Sequence, residues 1–143
     1  MKYFKSVEHK NQVLALIIYS KFQTDGIEFF TDENFSQQLG YMNRPKDYII
    51  TPHRHNPVSR EVLYTQEVLF IKSGKVRVDF YSDAEMYIKS TILNNGDIIL
   101  LASGGHGFKF LEKSEIIEVK QGPYSEKLDK IRFEMISDDA VSY

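Results

Sequence analysis

Short apolar or alternating runs, each closed by a polar turn, recur along the chain, and this rhythm restricts it to an all-β fold. The runs are VLALIIYS (13–20), IEFFT (27–31), YIITPH (48–53), EVLYTQEVLFI (61–71), KVRVDFY (75–81), YIKSTIL (87–93), DIILLA (97–102), HGFKFLE (106–112), EIIEVKQ (115–121) and IRFEMI (131–136). They are rich in Val, Ile, Tyr and Phe, and most are too short for a helix. Ser73-Gly74 predicts a tight hairpin, Asn94-Asn95-Gly96 a turn with positive φ, and Gly122-Pro123 a stop after a strand. Hairpins at this spacing predict a sandwich or closed barrel. The exception is 32–47, where Asp32 can cap one helical turn before Pro45 blocks its extension, giving an irregular or short helical lid. The tail after about Ser137 has no apolar pattern and is expected to be loose.

A chain of 143 residues is expected to form one domain, 1–143, with a real core. Eighteen basic and twenty acidic residues, with no basic stripe, argue against nucleic acid as a partner. The apolar stretch 13–19 is far short of the roughly 20 residues a membrane helix needs. With no cysteine, disulfides and thiolate ligands are excluded, and a cytoplasmic location is expected. An edge at 13–20 would need cover from a second copy, so a homodimer is expected.

Three of the four histidines fall in PHRHNP (52–57) and GGHGF (104–108), with EVLFIKSG (67–74) between them. Residues two apart on a strand share a face, so His53 and His55 can aim both imidazoles at one point. Glu67 shares its face with Leu69 and Ile71, where a carboxylate is costly without a positive partner. His106 shares a face with Phe108 and Phe110. Imidazoles and a carboxylate without thiolates suit a divalent transition metal, Zn, Fe, Mn, Ni or Co, with open positions for chemistry. Gly104-Gly105 lacks the following lysine of a nucleotide loop and is expected to be a turn with unusual φ.

The order His53-x-His55, Glu67 seven residues before Gly74, and GDIILL (96–101) leading to His106 resembles the two motifs of the cupin superfamily over about 48–121. The resemblance implies a cupin-type jelly-roll β-barrel with His53, His55, Glu67 and His106 as metal ligands. Eleven residues separate His55 from Glu67, more than the family usually has, and Glu61 is the alternative carboxylate.

That insertion carries Arg60, Glu61 and Tyr64. Arg60 would suit a carboxylate or phosphate, and Glu61 or Tyr64 could move a proton. Gln121, sharing a face with Ile117 and Val119, and Tyr124 could reach the same small-molecule ligand beside Phe108. The resulting expectation is a metal-dependent isomerase or epimerase acting on a sugar, nucleotide-sugar or other polar metabolite, as in surface-polysaccharide synthesis. Alternatives are an Fe(II)-dependent oxygenase and a non-catalytic, metal-assisted binding module.

Overall fold

In the computed structural model, which describes all 143 residues, the chain forms two larger sheets packed face to face and a small two-stranded one. Ten strands make up the fold: β1 (Phe4–His9), β2 (Gln12–Ile18), β3 (Gly26–Phe29), β4 (Gly40–Asn43), β5 (Glu67–Ser73), β6 (Lys75–Tyr81), β7 (Tyr87–Asn94), β8 (Ile98–Leu101), β9 (Gly105–Phe110) and β10 (Glu115–Lys120). One sheet has the order β1-β2-β8-β5-β10, the other β7-β6-β9, and β3 pairs only with β4. The all-β expectation is met. The cupin jelly-roll barrel is not, because none of the three sheets closes on itself.

The principal core lies between the two larger sheets. Val7, Leu14, Ile17, Leu69, Ile71, Ile99 and Leu101 from the five-stranded sheet meet Val76, Val78, Phe80 and Leu93 from the three-stranded one. A second cluster covers the other face of the five-stranded sheet, where Phe22 and Leu39 pack on Leu16, Ile18 and Leu100, with Phe30 and Phe35 against them. Two-sided burial explains the near-continuous apolar runs in β2 and β8. β2 lies between β1 and β8, so 13–20 is not the exposed edge expected of it.

The turns divide in character. Lys10 and Asn11 both have positive φ, 48° and 63°, the requirement of a two-residue type I′ hairpin between β1 and β2. Gly96 has φ +86° as expected, and Asp97 accepts hydrogen bonds from the Asn94 and Ser20 amides at 2.7 and 2.8 Å. Ser73-Gly74 makes no hairpin, because β5 and β6 belong to different sheets. Gly74 turns the corner at φ +91°, where a Cβ would stand 2.5 Å from the Lys113 carbonyl oxygen and 2.2 Å from Ser114 Oγ.

Segment 32–47 contains no helix; it leads through a bend into β4, and the only helical turn is a 3-10 turn at Asp138–Ala140. The C-terminal segment is tied down. Phe133 meets Tyr81 edge-on at 4.9 Å, the Ile136 amide donates to Tyr81 Oη at 2.9 Å, and the Ser90 amide donates to the Ser142 carbonyl at 2.7 Å. Asp138 pairs with Arg77 at 2.9 Å and with Lys109. This strap covers the outer face of β6, where Arg77 and Asp79 form an ion pair that is 4% and 0% exposed. Asp79, then burial acting in opposition, then Asp138 set the Arg77 guanidinium, and together they hold it above its ordinary range.

Candidate functional site

Register brings Glu67 and His106 together across the gap between the sheets. Residues directly opposite in an antiparallel pair share a face. His106, Phe108 and Phe110 stand opposite Phe80, Val78 and Val76, so all three point toward the core side. Glu67 shares its face with buried Leu69 and Ile71. At this end of the sandwich His106 Nε2 lies 3.4 Å from Glu67 Oε2, and the two side chains are 28% and 13% exposed. Phe108 flanks the imidazole at 5.5 Å between ring centres and packs on the core.

β10 completes this mouth in a register opposite to the one its sequence suggests. Ile116, Glu118 and Lys120 stand opposite Ile71, Leu69 and Glu67, so they share the inner face. Ile117 and Val119 face outward, 54% and 56% exposed. Gln121 leaves the strand away from the mouth and accepts a hydrogen bond from Gln37 Nε2 at 3.1 Å. A one-residue change of register exchanges every side chain between faces. Glu118 and Lys120 are therefore mouth residues that the sequence pattern does not single out, since the mixed alternation of EIIEVKQ is compatible with either face.

The mouth favours an ionised Glu67. Burial alone would raise its carboxyl, but the His106 imidazole, followed by Lys120 and Glu118, outweighs that effect and holds it below its ordinary value. A half-buried carboxylate facing an imidazole, with a phenylalanine wall and the Lys120 ammonium within electrostatic reach, can hold a polar molecule and exchange a proton with it. Lys120 Nζ itself lies 3.9 Å from Asp129 Oδ2.

The other expected site residues lie elsewhere. His53 and His55 sit on an exposed segment without helix or strand; their rings are 5.3 Å apart, and His53 Nδ1 lies 2.9 Å from the Thr51 carbonyl oxygen. Arg60 is exposed on the same segment. Glu61 and Tyr64 line a groove of about 830 Å³ with Phe4, Phe30, Phe35 and Gln66. Tyr124 is 62% exposed, with Lys120 Nζ 4.8 Å from its ring centre.

The divalent transition-metal centre is thereby overturned. Of the four expected ligands only Glu67 and His106 meet, and no group of three or more His, Asp or Glu side chains could hold an ion. The metal-dependent isomerase, the iron oxygenase and the metal-assisted binding module lose their basis with it, as does the link to sugar metabolism that the cupin resemblance supplied. The double glycine of GGHGF serves close packing instead. Gly104 takes φ +69° with its Cβ direction 2.5 Å from the Tyr81 carbonyl oxygen, and a Cβ on Gly105 would strike the Phe133 ring at 2.7 Å. No helix is long and apolar enough to cross a membrane. Comparison with known protein families, curated proteins and solved structures gives no match to this chain.

Proposed function

We propose that the chain binds a small hydroxyl- or carboxyl-bearing molecule at the mouth between its sheets, with Glu67 and His106 as the contacting pair, and that it works as a single-domain homodimer in the cytoplasm. The observation that carries the binding reading is the facing carboxylate and imidazole, half-buried among Phe108, Glu118 and Lys120. Glu67 accepts from a ligand hydroxyl, Lys120 offers a cation to a ligand carboxylate, and Phe108 excludes water from one side. The pair also provides a route for moving a proton on the bound molecule. The dimer reading rests on exposed apolar residues such as Ile49 and Leu63, each 79% exposed, which a folded chain rarely leaves in water as an extended patch.

The test is amide-detected NMR with a panel of polyhydroxy compounds and small carboxylic acids. Binding should move amides at 67–69, 105–108 and 118–120, and Glu67→Gln should weaken it about 10- to 100-fold, the range for losing a hydrogen bond to a charged group. Hits confined to the groove at Phe4, Phe30 and Tyr64, or no hits at millimolar concentration (about the weakest useful affinity), would refute the assignment.

A further inference from the structure

We propose that residues 44–60 are an exchange arm, received by a second copy of this chain along the open edge of its β9. Residues 61–65 stay on their own chain, where Glu61 and Tyr64 line the groove and Thr65 Oγ1 donates to Asp129 Oδ1 at 2.9 Å. Every residue from 42 to 65 is exposed, and none beyond Asn43 lies in a helix or strand. The ends of that stretch are nevertheless fixed: β4 closes at Asn43 against Gly26, and Gln66 is 6% exposed. Gln66 Oε1 accepts from the Gln37 amide at 3.0 Å and from Ser36 Oγ at 3.2 Å. A structureless connection of this length inside a compact domain is uncommon. Nor is the composition that of a solvated linker, since Tyr48, Ile49, Ile50 and Val58 are 50–79% exposed.

The receiving surface is present on the same chain. β9 pairs with β6 on one side, and no strand occupies its other side. Phe110, at that edge, is 56% exposed. An extended segment added to such an edge satisfies its free amides and carbonyls while its side chains fill the neighbouring surface. Pro52 and Pro57 are tolerated in a strand that itself becomes the new edge.

Charge and size both favour a second copy as the occupant. The arm carries Arg44, Lys46, Arg54 and Arg60 against Asp47. On β9 itself Lys109 is paired with Asp138, and beside it the mouth presents Glu67 and Glu118 against Lys120, whose Nζ lies 3.9 Å from Asp129 Oδ2. A stable interface takes about 20–30 residues from each side, and the arm together with β9 supplies that number. Because each copy owns both an arm and an open edge, reciprocal exchange closes after two chains. The exchange stands independently of the ligand reading. Where it does rest on that reading is in its consequence: His53 and His55 of one copy become hydrogen-bonding groups at the Glu67–His106 mouth of the other.

The experiment uses the full chain. Light scattering at about 50 μM, a working range for weak dimers, should give a dimer mass. A spin label on Arg54→Cys, in a chain with no other cysteine, should broaden the 105–110 amides of isotope-labelled, label-free copies mixed with it. Ile49→Asp with Ile50→Asp should raise the dimer dissociation constant at least about a hundredfold, with the remaining spectrum folded, because both side chains are exposed in the single chain. A monomer mass, a dimer indifferent to these aspartates, or broadening that misses β9 would overturn the exchange. A monomer that still shows the ligand response at Glu67 and His106 overturns the arm alone. A dimer with arm contacts and no ligand response supports the arm and overturns the ligand reading.

Discussion

Asp79→Ala should cost this protein a large share of its stability, although Asp79 takes no part in the mouth. Asp79 is fully buried and accepts from Arg77 Nε at 2.8 Å, Arg77 Nη2 at 3.0 Å and Ser90 Oγ at 2.5 Å. Removing it leaves the 4%-exposed Arg77 cation with Asp138 as its remaining carboxylate. Breaking a buried pair in this way costs about 3–5 kcal/mol. At about 2.1 cal/mol/K per residue, the unfolding entropy of a 143-residue chain converts that loss to a fall in Tm of about 10–17 °C. Replacing both partners, Arg77→Met with Asp79→Leu, should stay within about 1 kcal/mol of the parent, since apolar substitution of a buried pair is often neutral or better. Ser90 Oγ keeps Tyr87 Oη at 2.8 Å in that variant. Urea unfolding of the three proteins measures both effects. A loss below about 1 kcal/mol in Asp79→Ala, or a double variant as unstable as the single one, would refute the reasoning.

Gly74→Ala should destabilise by more than about 2 kcal/mol, combining left-handed backbone strain with a clash against a carbonyl oxygen; a midpoint shift in urea checks it. Gly105→Ala should free the C-terminal strap by displacing the Phe133 ring, seen as faster proteolysis after residue 130. The strap should also loosen in acid. Lys109, then Arg77, hold the Asp138 carboxyl below its ordinary 3.8, so its stabilising contribution is complete above that value and is lost as pH falls through the lower folded value. The Ser142 amide signal should report this loss, and Asp138→Asn should abolish the pH dependence.

The strands with the clearest sequence signal are those whose two faces have unlike neighbours. KVRVDFY is β6 as expected, because Val76, Val78 and Phe80 enter the core while Arg77 and Asp79 lie beneath the strap. β1 has no such signal: Phe4–His9 holds Lys5, Ser6 and Glu8, and only Val7 is buried. YIITPH and IRFEMI have strand-like composition but make no strand pairing within this chain. Composition records a preference for pleated, half-buried surroundings and cannot supply the partner. Ser73-Gly74 resembles a hairpin because a corner between sheets needs the same positive φ as a tight turn.

The candidate site is half legible for a related reason. Glu67 and His106 are each flanked at i+2 by residues that pack inward, and they meet as alternation implies. His53 and His55 obey the same alternation, yet no sheet of their own chain takes them up. The outward turn of Gln121 and the inward turn of Glu118 and Lys120 depend on the β5–β10 register, a long-range property.

The most direct measurement of the central claim is the histidine side-chain ¹⁵N–¹H spectrum of the full chain and of Glu67→Gln, recorded with and without a bound member of the ligand panel. The His106 resonances should move with both the substitution and the ligand, while those of His9 stay fixed. A His106 signal indifferent to Glu67→Gln would contradict it, since the two side chains would then not form one site.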